Sequence, residues 1–139
     1  MRMVLDTNVL VSALISPGGL PDQLLQHWDA GDFSLVISHE QLAELRRVLA
    51  YDKLKRYIHP EQAAQLVTGL SHLATFAENL PDLDVSTDPS DNVILATAIA
   101  GNASHLVTGD KSHLLALEQI RHISIITVRE AVELLATQA

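Results

Sequence analysis

The sequence predicts an α/β fold with a central parallel sheet of four to five strands. Short apolar runs rich in β-branched residues recur at 3–5, 34–37, 105–107 and 123–126, each stops at a polar residue, and helical spacing follows each one. That alternation is the pattern of a parallel sheet, whose strands are buried on both faces and joined by helical crossovers. With 139 residues, 47% hydrophobic and 19% charged, the chain reads as one globular domain over 1–139. A chain of this size buries roughly two-thirds of its unfolded surface, so it holds a core without cross-links. There is no cysteine. Disulfide scaffolds, thiolate zinc sites, iron–sulfur clusters and cysteine nucleophiles are excluded.

The elements follow in order. Met3-Val4-Leu5 is the first strand and stops at Asp6-Thr7-Asn8, after which Val9, Leu10, Ala13 and Leu14 recur at helical spacing until Pro17-Gly18-Gly19. Leu20, Leu24, Leu25 and Trp28 make a second helical face, which Gly31 ends as a C-terminal cap. A strand over 34–37 leads to Ser38, which with Gln41 has capping-box spacing and predicts a helix over 39–50. A short basic turn reaches Tyr57, and His59-Pro60-Glu61 opens a long helix with Ala63, Leu66, Val67, Leu70, Leu73 and Ala74 as its buried stripe. These helices read as an all-α insertion. Proline and aspartate make 79–89 a surface loop with a short strand at 83–85, and a helix over 91–100 ends at Gly101-Asn102. A strand over 105–107 stops at Thr108-Gly109-Asp110, and a short helix carries Leu114, Leu115 and Leu117. The last strand, 123–126, runs into a capping box of Thr127 and Glu130 and a final helix. Asp6 arrives too early for a signal peptide, and no run approaches the ~20 apolar residues of a membrane span. The expectation is a soluble, cytoplasmic protein.

Four acids share a position in this scheme. Asp6 and Asp110 follow strands, Asp91 lies in the first turn of a helix, and Glu44 lies in the helix after the second strand. Residues just past the strand C-termini of an open parallel sheet face one crevice. At about 5 Å and an effective dielectric of about 20, each charged pair repels by roughly 3 kcal/mol, so such a cluster calls for protons or a cation. Oxygen ligands select hard ions such as Mg²⁺ or Mn²⁺, whose chemistry is phosphodiester hydrolysis. Taken singly, each aspartate is equally an N-cap or loop residue, and Glu44 equally a solvated helix glutamate.

Val4-Leu5-Asp6-Thr7-Asn8-Val9-Leu10, Glu44 in the helix after Ile37-Ser38, Asp88-Pro89-Ser90-Asp91-Asn92 before an alanine-rich helix, and Leu106-Val107-Thr108-Gly109-Asp110-Lys111 together resemble the PIN domain family. The order and lengths match over essentially the whole chain, and the branch it resembles is the VapC-like toxins of toxin–antitoxin pairs. The resemblance implies a three-layer α/β/α fold and a Mg²⁺- or Mn²⁺-dependent ribonuclease. Carried over position by position, it implies Asp6, Glu44, Asp91 and Asp110 as catalytic metal-binding acids. Asn8 would orient Asp6 and Thr108 would do similar work from the other strand end, while Asp88 is extra to the quartet and caps the loop before Pro89. Gly109 stands where many relatives carry a larger polar residue, which loosens substrate contact there. A protein antitoxin and a homodimer are implied partners, with the apolar faces over 20–30 and 61–77 as candidate dimer interfaces.

Net charge is −8, which argues against a surface that coats polyanions generally. Basic character is local: Arg46, Arg47, Lys53, Lys55 and Arg56 are five of the nine basic residues, interrupted by Asp52 alone and flanked by Tyr51 and Tyr57. This stretch, with Lys111, is a candidate RNA contact in which cations hold phosphates and tyrosines stack bases. The seven histidines form no zinc-protease pattern, and no Walker loop, dinucleotide fingerprint or hydrolase elbow is present. The same features suit two alternatives, a catalytically silent PIN-fold scaffold for RNA or protein, and a structure-specific DNA nuclease.

Overall fold

The computed structural model describes residues 1–109 and 113–138. Its chain order is β1 (Arg2–Leu5), α1 (Thr7–Ile15), α2 (Leu20–Asp29), β2 (Ser34–Ile37), α3 (His39–Leu49), a 3₁₀ turn (Asp52–Leu54), α4 (Pro60–Leu73) and β3 (Thr75–Phe76). Then come α5 (Pro89–Ala100), β4 (His105–Thr108), a second 3₁₀ turn (His113–Leu117), β5 (Gln119–Ile120), β6 (Ile123–Thr127) and α6 (Val128–Ala136). The sheet order is β3-β2-β1-β4-β6-β5, with every pairing parallel except β5 against β6. Six strands rather than four to five result because β3 and β5, two residues each, are too short to leave a hydrophobic period in the sequence.

Alternation along the strands divides the core into two. Met3, Leu5, Leu35, Ile37 and Val107 point to one face, where α1, α2, α4 and α6 cover them with Leu10, Leu24, Leu70 and Leu135. Val4, Val36, Leu106 and Ile125 point to the other, under Ile94, Leu95 and Ala98 of α5. Strands buried on both faces explain their unbroken apolar runs, and the result is a three-layer α/β/α sandwich.

Local chemistry sets the helix ends. After α2, Gly31 adopts φ 81, its amide bonds Trp28 O, and the Asp32 amide bonds His27 O, a Schellman closure. Thr127 and Glu130 form a complete capping box. The box at Ser38 is only half made: Ser38 Oγ accepts from the Gln41 amide, but the Gln41 side chain reaches instead to Leu5 O at 2.6 Å. Three further expectations need correction. Residues 83–85 form no strand; α3 and α4 are the crossover from β2 to the parallel edge strand β3 rather than an insertion; and Leu73, the last residue of α4, is 71% exposed and lies outside the α4 stripe. Of the faces considered for dimerisation, Leu24 and Leu70 are buried and Leu25, Trp28 and Leu66 pack against the core. Among the described residues no helix is long and apolar enough to cross a membrane.

Candidate active site

In the sheet order, β2 and β4 lie on opposite sides of β1, so the chain's direction of progress reverses between β1 and β4. A crevice opens at such a point, beyond the strand C-termini. Asp6 stands there. Its amide donates to Val107 O of β4 at 2.8 Å, and Thr108 Oγ1 donates to Asp6 Oδ2 at 2.8 Å across the same gap. Asp6 occupies the N-cap of α1, where its side chain closes no well-formed cap hydrogen bond and the nearby Thr7 and Asn8 amides favour its charge only weakly.

Three more acids converge from other elements. A half-enclosed cleft of about 360 Å³ is lined by Asp6, Asn8, Glu44, Asp88, Ser90, Asp91, Gly109 and His113. The helices that deliver Glu44 and Asp91 are tied together by a buried polar chain. The Gln41 amide donates to Ser38 Oγ, Ser38 Oγ lies 2.8 Å from Thr97 Oγ1, and Thr97 Oγ1 donates to Val93 O. Because each hydroxyl has one hydrogen and Thr97 gives its own to Val93, Ser38 is the donor to Thr97. Gln41 Nε2, bonded to Leu5 O, ties α3 to the end of β1 beside Asp6. The three acid-bearing elements are therefore fixed to one another through hydrogen bonds behind the cleft.

Electrostatics report the same convergence. Burial, at 8% exposure, raises the Asp6 carboxyl above its ordinary value, and the Asp91 charge adds to it; the Thr108 hydroxyl and the Thr7 and Asn8 amides oppose without cancelling it. Glu44 is raised by burial first and then by Asp6, with lesser additions from Asp88 and Asp91 and opposition from Arg47. A carboxylate that feels three others has too little positive charge around it, the condition that a cation relieves. The donor set is all oxygen, which suits a hard divalent ion that retains waters. Among the described residues no three acidic or imidazole groups close around an ion by themselves. Asp110, expected to complete the set, and Lys111 lie outside the described residues.

The other expected site residues separate clearly. Asn8 is exposed on the cleft wall, and the side-chain bond to Asp6 comes from Thr108 instead. Asp88 caps α5 by accepting from the Ser90 amide at 2.9 Å, and it also borders the cleft. Gly109 leaves the wall open, since an added Cβ would meet nothing within 4 Å. Arg46, Arg47, Lys53, Lys55 and Arg56 are all exposed, as are Tyr51 and Tyr57. Lys55 pairs with Asp52 at 2.9 Å and Lys53 lies 5.7 Å from the Tyr51 ring. Sequence reasoning passed over Ser90 and His113 in the cleft wall. The available signal was their placement, Ser90 between Asp88 and Asp91 and His113 three residues past Asp110.

The PIN domain family model matches residues 2–112. The chain belongs to the PIN domain family. This PIN domain is also 26% identical over 126 residues to the uncharacterized protein MJ1680 of Methanocaldococcus jannaschii, across 90% of this chain and 81% of that protein. Its fold matches a chain in the crystal structure of VapBC2 from Rickettsia felis bound to a DNA fragment from their promoter. The TM-score is 0.56 at 22% identity, covering 91% of this PIN domain and 98% of that chain.

Proposed function

We propose that this PIN domain is a Mg²⁺- or Mn²⁺-dependent endoribonuclease and the toxin of a toxin–antitoxin pair. The observation that carries the proposal is the convergence of Asp6, Glu44 and Asp91 on one cleft, with Asp6 buried. Asp6, Asp91 and Asp110 would hold the cation, and Glu44 would act on a bound water or a second ion. When bound, the cation lowers the pKa of an attacking water and neutralises charge on the phosphate oxygens. Thr108 fixes the orientation of Asp6, and Glu44, the acid with Arg47 beside it, is positioned to take a proton from water. The water oxygen bonds to phosphorus as the P–O3′ bond breaks and the departing O3′ takes up a proton from solvent, leaving a 5′-phosphate and a 3′-hydroxyl.

Single-stranded RNA would approach over the basic stretch next to Glu44. Arg46, Arg47 and Arg56 have no ion-pair partner among the described residues, so they are the cations free for phosphate, with Lys53, Lys55 and Lys111 as further contacts. The likeness to a VapBC2 chain supports a protein antitoxin as partner, which would answer the acidic cleft with a basic side chain.

Calorimetric titration of Mn²⁺ into the wild type and Asp91→Asn, beside matched RNA and DNA cleavage assays, tests the proposal. The expected result is saturable binding that Asp91→Asn abolishes, with RNA cut to 5′-phosphate ends and turnover lost in Asp6→Asn and Asp91→Asn. A fully active Asp91→Asn protein would sink the assignment, and products ending in a 2′,3′-cyclic phosphate would overturn the mechanism. No Mn²⁺ binding and no cleavage would leave the scaffold.

A further inference from the structure

We propose that Asn92 and Ser86 form a clasp that holds the Asp91 carboxylate in place for the cation, an inference that rests on the acidic-cleft reading above. After the Ala77 amide bonds Ile37 O at 2.8 Å, residues 78–88 reach α5 without regular secondary structure, so neither a ladder nor a helix holds the stretch that borders Asp91. Asn92 supplies the missing bonds. Its Oδ1 accepts from the amides of Val85, at 3.0 Å, and Ser86, at 2.8 Å, while its Nδ2 donates to Ser86 O at 2.8 Å. One side-chain amide thus stands in for the edge of a strand and uses three of its four hydrogen-bonding positions on two consecutive residues.

Ser86, held in this way, meets both acids of the turn. The Asp88 amide donates to Ser86 Oγ at 3.1 Å, and Ser86 Oγ donates to Asp91 Oδ2 at 3.1 Å. The direction is fixed, because an amide N–H can only donate, which leaves the hydroxyl hydrogen for the carboxylate. Asn92 itself does not border the acidic cleft. It lines a separate groove with Leu80, Leu83, Pro89 and Val93, on the other flank of the first turn of α5. Its influence on Asp91 therefore passes through Ser86, and both are positioning residues rather than ligands. A carboxylate bonded through one oxygen loses rotational freedom before the cation arrives, so ligation costs less entropy.

The test is Mn²⁺ titration calorimetry on the wild type, Ser86→Ala, Ser86→Thr and Asn92→Ala, with amide hydrogen exchange on the same proteins free of metal. Ser86→Ala and Asn92→Ala are expected to weaken Mn²⁺ binding about 10- to 100-fold, the range found when groups that orient metal ligands are removed. Ser86→Thr, which keeps the hydroxyl, is expected to restore wild-type affinity. Asn92→Ala is also expected to release exchange protection at the Val85 and Ser86 amides. Unchanged affinity in both alanine variants overturns the clasp, and so does an equal loss in Ser86→Thr, which would assign the effect to loop disruption. If Asn92→Ala does not fold, Ser86→Ala against Ser86→Thr carries the test. A wild type that binds no Mn²⁺ removes the acidic-site reading and the clasp with it, a result distinct from a binding wild type that its variants equal.

Discussion

Asp6 is where stability and the proposed chemistry oppose each other. Its carboxyl, like that of Glu44, is raised above the ordinary values of 3.8 and 4.5, mainly by burial. An acid whose pKa is higher in the folded state holds its proton more tightly there. The folded state then loses stability as pH rises from the unfolded value through the raised one, and the loss persists above it. The melting temperature of the metal-free protein should therefore carry a falling component from just above 3.8 upward, which saturating Mn²⁺ reverses at neutral pH. Asp6→Asn should remove the larger part of that component and raise the metal-free melting temperature at pH 7 by a few degrees, since Asn retains the N-cap preference. Melting curves across the pH range in chelator check this, and coincident profiles for wild type and Asp6→Asn would refute it. Two neighbours share the misfit: Thr7 Oγ1 and Gln41 Oε1 are buried without partners among the described residues, each at a cost of roughly 1–3 kcal/mol. Such local departures are expected around functional sites. At this scale the meeting of Asp6, Glu44 and Asp91 was legible because, in a parallel sheet, the strand ends and the first turns of the helices that follow them face one crevice. Of the polar partners, Thr108 was legible from its place at the neighbouring strand end and does bond Asp6, whereas Asn8 makes no side-chain bond to Asp6, and Ser86 reaches Asp91 only through the path of the backbone between them.

Elements were legible wherever a period or a cap had enough residues to repeat. The strands β1, β2, β4 and β6 and the six helices all follow runs visible in the sequence, whereas β3 and β5 exist only because a longer neighbour offers them an edge. The end of α5 is the instructive case. Gly101 has an ordinary φ of −86, and Asn102 instead takes the positive φ of 52. Glycine is needed at 101 for space: an added Cβ would collide with Val36 Cγ1 and press on Ala77 Cβ at 3.2 Å and Thr97 O at 3.1 Å. The C-terminal end of α5 lies this close to β2. Gly101→Ala should cost about 1–3 kcal/mol, as overpacking of a filled core does. Gly109→Ala, whose Cβ meets nothing, should stay within about 0.5 kcal/mol. Denaturant unfolding of the two variants decides it, and equal midpoints would show that α5 can move away from β2 freely.

Across the whole molecule, charge separates into two territories. A net charge of −8 repels RNA at long range, and the acidic cleft repels it most, so the proposed RNA substrate would have to be held by cations local enough to act within a Debye length of about 8 Å. Glu44 and Arg47 lie one turn apart on α3, and Arg47 is the cation that Glu44 feels, so the two territories meet on one helix. Lys55 and Lys53 are partly occupied by Asp52 and the Tyr51 ring, which leaves Arg46, Arg47 and Arg56 as the groups whose bound ions RNA would displace. Each phosphate neutralised on a single strand contributes about −0.7 to the slope of log affinity against log salt. Replacing the three arginines with glutamine should therefore flatten that slope by about 2 and weaken binding most at low salt. Fluorescence anisotropy of a labelled single-stranded RNA with metal-free protein, which does not cut it, measures the slope directly. Parallel lines for the wild type and the triple variant would place the RNA elsewhere. A flatter line together with wild-type Mn²⁺ affinity would show that substrate holding and the acidic centre, though joined by one helix, are separable.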